Sequence, residues 1–228
     1  MYTRTLRVMP SDASMTGELK IFNLLNYLQD TAELAVEGIE GKSTELYAKG
    51  FAWVVTKYEI FIKGDLPKIC DEFSVSTYHD PNHSYNTLRM FHVSFKGNEI
   101  VTAKTSWILA DVNSGRPVKA IAHIPGIETG DCQNIDDGFT DIPDVTEPDI
   151  SESFTVKYHD TDYNGHVNHA VYFKWVYDIF GKARHICGAF RSGAKFGETV
   201  TLQGRNGAFH VLREGISRPC AKFFLEAD

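Results

Sequence analysis

Polar residues recur with helical spacing in an early segment of the chain. They stand three or four positions apart at Lys20, Asn23, Asn26, Asp30, Glu33 and Glu37. The positions between them would form one apolar face made of Leu19, Phe22, Leu25, Leu28, Ala32 and Ala35. This pattern predicts an amphipathic helix that packs this face against a core and ends near Gly38.

Four β-rich runs follow this helix. They are Trp53–Ile62, Phe73–Tyr78, Thr87–Phe95 and Ile100–Ala110. Turn-forming residues separate them at Gly64–Asp65, Asp80–Pro81–Asn82 and Gly97–Asn98. Because short turns join antiparallel neighbours, we expect these runs to form an antiparallel sheet.

The last third of the chain repeats the combination of strand and helix. Apolar Phe154, Val156 and Tyr158 alternate with polar residues, which is typical of a strand. A helix is predicted from about Val167, and its narrow polar stripe consists of Lys174, Asp178, Lys182 and His185. A helix this apolar is expected to be wrapped by other structure. The patterns therefore predict an α+β fold in which a long buried helix lies against a curved antiparallel sheet, twice.

An internal repeat supports this duplication. When the chain is shifted by 148 positions without a gap, Asp12 falls on Asp160 and Gly17 falls on Gly165. Three polar positions differ: Ser14, Thr16 and Glu18 stand where the second copy has Asp162, Asn164 and His166. A supersecondary unit used twice indicates that the two copies bury a common core. We expect one active site per chain, in the second copy.

An acidic segment separates the two copies. No Lys or Arg occurs between Lys119 and Lys157, whereas nine acidic residues do. Residues 122–150 also contain three prolines and little apolar periodicity, so they predict a linker or a long crossing loop. The expected organisation is a first module at 1–121, an acidic linker at 122–150 and a second module at 151–228.

Composition excludes several classes of protein. The net charge of −7 is far from the basic excess of a nucleic-acid binder, and no run of 18 or more apolar residues could span a membrane. The four cysteines form no Cys-x-x-Cys pair, and the first residues lack the apolar segment of a secretory signal. We therefore expect a cytoplasmic protein that binds neither nucleic acid nor membrane.

The richest concentration of chemical groups is the segment 158–172, YHDTDYNGHVNHAVY. Its start, Asp160-x-Asp162-x-Asn164-Gly165, matches the opening of an EF-hand calcium loop, but Val171 occupies the position that needs a bidentate Glu. Zinc is not favoured either, because no thiolate stands near His166 and His169. Simple helix capping needs only one or two such residues. We therefore predict a catalytic role for this segment, and we predict no metal and no cofactor for the chain.

A helix N-terminus favours an oxygen that gains negative charge, so a thioester carbonyl placed near Val167 and Asn168 would become a better electrophile. Asp162 could attack this carbonyl directly or deprotonate a water, Asn164 could orient either, and His166 could pass the proton to the leaving group. A thiol leaves more easily than an alcohol because its pKa is about 8.5. Thioester hydrolysis is the reaction that asks least of such a site.

These residues resemble a known family, the acyl-acyl carrier protein (acyl-ACP) thioesterases. The family pattern Asp-x-Asp-x-Asn-x-His-Val-Asn, followed by Tyr and Trp, matches Asp160, Asp162, Asn164, His166, Val167, Asn168, Tyr172 and Trp175. The first module is also similar to the family, over Leu19–Ala32 and from Ser106 to Pro117.

The resemblance implies two tandem hotdog modules, each a long central helix wrapped by a curved antiparallel sheet. It also implies catalysis by Asp162, Asn164 and His166 and an acyl-chain pocket in the first module. The expected reaction releases free fatty acid from acyl-ACP in fatty-acid biosynthesis. Acyl-CoA is the alternative acyl donor. Whether the chain forms a homodimer is left open.

One departure from the family pattern concerns the predicted active site. The family places a glutamate just before a Lys-Phe-Gly-Asp-like turn, and here Gly193 precedes Ala194-Lys195-Phe196-Gly197-Glu198. The short distance from the predicted helix end near His185 to Gly197 also suggests a strand that is shortened or deleted. Glu198 or Glu214 could replace the glutamate. The alternatives are a non-catalytic acyl-thioester binding protein and, less well matched to Asn164, a hotdog dehydratase or hydratase.

Overall fold

The computed structural model describes residues 1–36, 42–83, 85–128 and 132–227 of the chain. They divide into two units, and the division falls inside a strand. The first unit comprises Met1–Thr56 and Phe61–Gly138, and the second comprises Lys57–Ile60 and Phe139–Asp228. Each unit combines helices with an antiparallel sheet, so the predicted mixture of α and β structure is confirmed.

The first unit contains the helices α1 (Ile21–Ala35), α2 (Ser43–Ala48) and α3 (Ala120–His123). Its strands are β1 (Tyr2–Arg7), β2 (Phe51–Ile62, of which Lys57–Ile60 belongs to the second unit), β3 (Glu72–His83), β4 (Asn86–Phe95), β5 (Asn98–Asp111) and β6 (Pro117–Val118). Their order in the sheet is β1-β3-β4-β5-β2, with the short β6 paired to β5. The four predicted β-rich runs are confirmed as β2 to β5.

The α1 helix confirms the predicted amphipathic segment, but its buried face is rotated relative to the prediction. Leu25 and Leu28 are buried as expected, and the other buried residues of the helix are Ile21, Leu24 and Thr31. Phe22, Ala32 and Ala35 are only half-buried because the helix turns a neighbouring face toward the sheet. The predicted stop at Gly38 lies outside the described residues.

The turn predicted at Asp80–Pro81–Asn82 is wrong, because β3 continues through these residues to His83. The ladder between β3 and β4 shifts register between Asp80 and His83. A proline has no N–H to donate to a ladder, and a bulge is one place where a strand tolerates it. Asp80 accepts a hydrogen bond from the amide of Asn82 at 3.1 Å, which stabilises the irregular stretch.

The second unit contains the helix α4 (His169–Phe180) and the strands β7 (Ile150–Thr155), β8 (His185–Phe190), β9 (Thr199–Arg205), β10 (Ala208–Arg213) and β11 (Ala221–Glu226). The sheet order is β8-β11-β10-β9-β7, and every described pairing in it is antiparallel. Phe173 of α4 packs edge-on against Phe190 and Phe223 of this sheet. The predicted buried helix is confirmed, but the alternation through Tyr158 is a strand only as far as Thr155.

Both predicted ends of the second helix need correction. The helix begins at His169, two residues after the predicted start, and ends at Phe180, where Gly181 follows with a φ of 89°. His185 therefore belongs to β8 and not to the helix. The interval between the helix and Gly197 was predicted to hold a shortened or deleted strand. It contains β8, so the strand is shortened and not deleted.

The acidic segment contains no helix or strand between α3 and β7 within its described residues. In the first unit, Lys104 pairs with Asp136 at 3.4 Å. In the second unit, Asp144 pairs with Lys222, and Glu147 pairs with Arg205 at 3.0 Å. Through these ion pairs the acidic segment contacts the sheet of each unit. Within the described residues, no helix has the length and apolarity needed to cross a membrane.

Candidate active site

The predicted catalytic residues lie on a single tight turn in the second unit. The amide of Asp162 donates to the carbonyl of His166 at 2.8 Å, and the amide of Gly165 donates to the carbonyl of Asp162 at 3.0 Å. Gly165 has a φ of 74°, a left-handed conformation that glycine adopts without strain. The amide of Asn164 donates to Oδ1 of Asp162 at 2.8 Å. The turn therefore brings Asp162, Asn164 and His166 together.

Asp160, the first aspartate of the motif, has a structural role. Its Oδ2 accepts the amide of Lys157 at 2.7 Å. Its carbonyl accepts the amide of Asn168 at 2.9 Å, across the base of the turn. Asp160 therefore closes the turn through both its carboxylate and its carbonyl.

The helix N-terminus differs from the prediction in a way that concerns the oxyanion. Asn168 is the N-cap, and its Oδ1 accepts the amide of Ala170 at 2.8 Å. The amides of Val167 and Asn168 already donate to the carbonyls of Ala194 and Asp160, at 2.8 Å and 2.9 Å. The assignment of these two amides to an oxyanion is therefore wrong for this structure, because both are engaged in holding the turn.

Gly193, which occupies the position of the family glutamate, lies directly against His166. A Cβ atom built on Gly193 would come within 2.6 Å of Cβ and 2.7 Å of Cγ of His166. Real Cβ atoms do not approach other atoms this closely, so no side chain fits at this position without movement of His166. The position lies at the candidate site but supplies no carboxylate.

Three contacts hold the Gly193 loop in place. Arg213 Nη1 donates to the Gly193 carbonyl at 3.3 Å, and the Ala194 amide donates to the hydroxyl of Tyr172 at 2.9 Å. The Ala194 carbonyl accepts the amide of Val167. Arg213 was not predicted to contact this loop. It lies at the end of β10, far along the chain from the motif, and no local sequence pattern indicates such a distant contact.

The two glutamates considered as replacements lie elsewhere. Glu198 Oε2 accepts the amide of Lys195 at 2.9 Å and lies 3.6 Å from Arg213 Nη1. Glu214 is exposed beyond the end of β10. Glu198 thus closes its own turn, and neither residue is seen to take the position of the family glutamate.

Burial determines the electrostatics of the turn. It raises the pKa of the Asp162 carboxyl, against the lowering effect of hydrogen bonds from the amides of Asn164 and His166. Asn164 Oδ1 is buried and accepts no hydrogen bond within the described part of the chain. Burial lowers the pKa of His169, the first residue of α4, to about 4, so this imidazole is neutral. Its ring stacks on Tyr58 with 5.5 Å between the ring centroids.

A calcium site of the EF-hand type would lack its bidentate ligand here. The Asp160 and Asp162 carboxylates each accept a main-chain N–H group within the turn. Val171, at the position of the bidentate glutamate, is buried on α4. The turn instead carries a half-buried carboxylate, a carboxamide and an imidazole, a set suited to moving protons around a carbonyl.

Comparisons with solved structures agree with this fold. An acyl-ACP thioesterase from Bacteroides thetaiotaomicron is 22% identical, with a TM-score of 0.84 over 98% of this chain and 96% of that one. A 12:0-ACP thioesterase from Umbellularia californica is 17% identical, with a TM-score of 0.84 over 99% of this chain and 96% of that one. At such identities the similarity concerns the fold. A comparison with curated proteins finds no match.

Family models give the more specific result. Residues 1–124 match the acyl-ACP thioesterase N-terminal domain, and residues 144–185 match the acyl-ACP thioesterase C-terminal domain. The second match contains the whole turn and ends before Gly193, where the chain departs from the family pattern. Since the first model alone covers more than half of the sequence, the chain belongs to the acyl-ACP thioesterase family.

Proposed function

We propose that this chain hydrolyses the thioester of acyl-ACP at the turn that carries Asp162, Asn164 and His166. Family membership supports the reaction. The observation that carries the choice of residues is the turn itself, which places all three side chains ahead of the buried helix α4.

Asp162 acts as the general base in this proposal. Burial raises its pKa, so its ionised form accepts a proton more readily than an exposed aspartate would. It removes a proton from the water that attacks the thioester carbonyl. Asn164, whose amide donates to Oδ1 of Asp162, lies beside this carboxylate on the turn and orients the water toward the carbonyl carbon.

His166 acts on the leaving group. When the tetrahedral intermediate collapses, the carbon–sulfur bond breaks and the thiolate takes a proton from His166, which solvent then replaces. This step needs little assistance because the pKa of a thiol is about 8.5. The positive end of the α4 dipole, and not the amides of Val167 and Asn168, stabilises the developing oxyanion.

Direct attack by the Asp162 carboxylate is the alternative first step. It would form an anhydride between Asp162 and the acyl group while the thiolate departs, and water would then open the anhydride to the free acid and the carboxylate. Turnover in ¹⁸O-labelled water tests for this route. Label on the Asp162 side chain would demonstrate the anhydride, because water that attacks its aspartyl carbon leaves ¹⁸O there, whereas a general base stays unlabelled.

The test of function is thiol release from a panel of acyl-ACPs and the matching acyl-CoAs. Wild type is compared with Asp162→Asn and His166→Ala, and circular dichroism verifies their folding. Ser14→Ala is the matched control, because residue 14 occupies the equivalent position in the first unit. We expect loss of turnover in the two site variants only. Unchanged activity in a folded Asp162→Asn protein would exclude the assignment.

Gly193 supports a second candidate function. The position of the family glutamate carries no carboxylate here, so a protein that binds acyl thioesters without hydrolysing them is the alternative. Turnover of neither donor, together with binding of a non-hydrolysable acyl thioether, would favour it. Faster turnover of acyl-CoA than of acyl-ACP would instead favour an acyl-CoA thioesterase.

We also propose that the two units are tandem hotdog modules, with modules at 1–121 and 151–228 and the acidic linker at 122–150. The similarity to solved thioesterases and the internal repeat support this arrangement. In this proposal the first module holds the acyl chain. A photoreactive acyl thioester should therefore label peptides from residues 1–121, and labelling confined to 151–228 would contradict it. The cytoplasmic location and the homodimer remain predictions.

A further inference from the structure

A second cluster of reactive side chains lies on the face of the second sheet that points away from α4. Ile186 is fully buried, and a Cβ on Gly188 would contact Phe173 of α4, so these two positions of β8 face the helix. Because side chains alternate along a strand, His185 and Cys187 point to the opposite face. Glu59 joins them from the part of β2 that belongs to this unit, where the neighbouring Tyr58 stacks on His169.

The three side chains are arranged as ligands around one point. Glu59 Oε1 lies 3.1 Å from His185 Nε2 and 3.9 Å from Cys187 Sγ, and the sulfur lies 3.3 Å from the same nitrogen. Tetrahedral zinc with ordinary bond lengths would place such ligand atoms about 3.4 to 3.6 Å apart. The observed separations differ from these by a few tenths of an ångström, which small side-chain rotations would remove.

The surroundings resemble the outer shell of a metal centre. The other ring nitrogen of His185, Nδ1, lies 3.7 Å from a carboxylate oxygen of Glu226. A carboxylate hydrogen-bonded to this nitrogen would orient a metal-binding imidazole, and at 3.7 Å Glu226 lies just beyond that distance. Thr140 Oγ1 donates to Glu59 Oε1 at 2.6 Å, which orients the second ligand. The side chains of Glu59 and His185 are only 7% and 15% exposed.

We propose that Glu59, His185 and Cys187 bind one divalent transition-metal ion, with zinc as the favoured ion. A set of one oxygen, one nitrogen and one sulfur suits zinc and its neighbours and excludes calcium or magnesium, which take oxygen ligands. On binding, the Cys187 thiol forms a sulfur–metal bond and releases its proton to solvent. This site was not predicted from the sequence, because His185 was expected on a helix, where His185 and Cys187 would not share a face, whereas both lie on β8.

Nucleophilic catalysis by Cys187 is a weaker interpretation of the same cluster. Burial and the Glu59 carboxylate raise the pKa of its thiol to about 12, so the reactive thiolate is scarce at neutral pH. Without a metal the three groups form a hydrogen-bonded cluster, and this is the alternative that an experiment has to distinguish.

Cobalt provides the probe, because a thiolate bound to Co²⁺ absorbs in the near ultraviolet and tetrahedral Co²⁺ absorbs in the visible. The full chain, freed of metal with a chelator, is titrated with Co²⁺ and then with Zn²⁺. We expect about one Co²⁺ per chain, with both absorptions, and their loss when Zn²⁺ displaces cobalt. A wild-type protein without the sulfur-to-cobalt band would overturn the proposal, whatever the variants do.

Variants identify the ligands. Cys187→Ser should remove the near-ultraviolet band, and Glu59→Gln should weaken binding more than tenfold. Cys132→Ser is the matched control, since Cys132 lies 3.5 Å from a different histidine, His79 in the first unit, and its removal should change nothing. Glu226→Gln should weaken binding about tenfold through the orientation of His185. A band that persists in Cys187→Ser would also overturn the proposal.

Discussion

The turn before α1 and the turn before α4 have the same backbone and different chemistry. Three backbone hydrogen bonds recur 148 residues apart. In the first unit they join Ser14 N to Glu18 O (2.8 Å), Gly17 N to Ser14 O (2.9 Å) and Lys20 N to Asp12 O (2.9 Å). In the second they join Asp162 N to His166 O (2.8 Å), Gly165 N to Asp162 O (3.0 Å) and Asn168 N to Asp160 O (2.9 Å). The backbone frame therefore forms with either set of side chains.

The difference between the turns lies in what their aspartates and polar residues contact. Asp12 accepts hydrogen bonds from the Met9 amide, Asn23 Nδ2 and the Tyr27 hydroxyl. For the carboxylate of Asp160, the hydrogen bond found is the one from the Lys157 amide. The first turn is thus tied to its helix by side chains, whereas the second carries the groups that we propose to be catalytic. In this proposal one copy of the frame serves stability and the other serves the reaction.

The strands after each helix show a second contrast. The four long strands of the first unit, β2 to β5, have 12, 12, 10 and 14 residues. The corresponding strands of the second unit, β8 to β11, have 6, 7, 6 and 6. The second unit therefore has the same order of strands as the first, but its strands are about half as long.

The largest expected effect is on catalysis by the second turn. Asp162→Asn should lower kcat/KM of acyl-ACP hydrolysis about a thousandfold, because it removes the general base. Ser14→Ala, at the equivalent position of the first turn, should leave the rate unchanged. Burial raises the pKa of Asp162 in the folded chain. Ionisation of this carboxyl therefore destabilises the fold once the pH exceeds the ordinary pKa of an aspartate. Asp162→Asn should therefore also raise the thermal midpoint slightly at neutral pH, and a decrease would contradict the burial argument.

Position 169 supplies a second test, because the first unit has Ile21 where the second has buried His169. Burial lowers the pKa of His169 from 6.5 to about 4. The unfolded chain therefore binds a proton that the folded chain excludes, and stability falls as pH drops from 6.5 toward 4. The loss should reach about 3 kcal/mol at pH 4. Urea unfolding between pH 4 and 7 should show this slope in wild type and a flatter one in His169→Ile.

Gly193 tests whether the close approach to His166 matters. In Gly193→Ala the new Cβ would overlap the imidazole, so His166 has to move. Displacement of a catalytic group by about 1 Å can lower the rate about a hundredfold, and we expect a fall of ten- to a hundredfold in kcat. Ser192→Ala changes an exposed neighbour in the same loop and should have no effect. Wild-type rates in Gly193→Ala would show that His166 does not act from its present position.

Local patterns explain why part of the molecule could be predicted from the sequence. The repeat at 148 residues predicted two turns before two buried helices, because Asp and Gly at matching positions have local roles. Contacts between distant segments left no such signal. Gly193 against His166 and Glu59 beside Cys187 depend on which strands become neighbours, and the engaged amides of Val167 and Asn168 depend on the Ala194 loop. The spacing of polar residues also could not tell that His185 starts a strand.

The smallest effect distinguishes the two structural aspartates. Asp12→Ala leaves the partly buried Tyr27 hydroxyl and the Asn23 amide without their acceptor, so it should destabilise the protein by about 2 to 3 kcal/mol. Asp160→Ala removes the bond to the Lys157 amide and should lower stability by about 1 kcal/mol. Urea unfolding at pH 7 measures both.

Tyr27→Phe on each background completes a double-mutant cycle. It should destabilise wild type and the Asp160→Ala protein but have little effect after Asp12→Ala. Equal losses for the two aspartates would mean that the first turn is not held by its side chains, and the contrast between the two turns would then reduce to their catalytic groups alone.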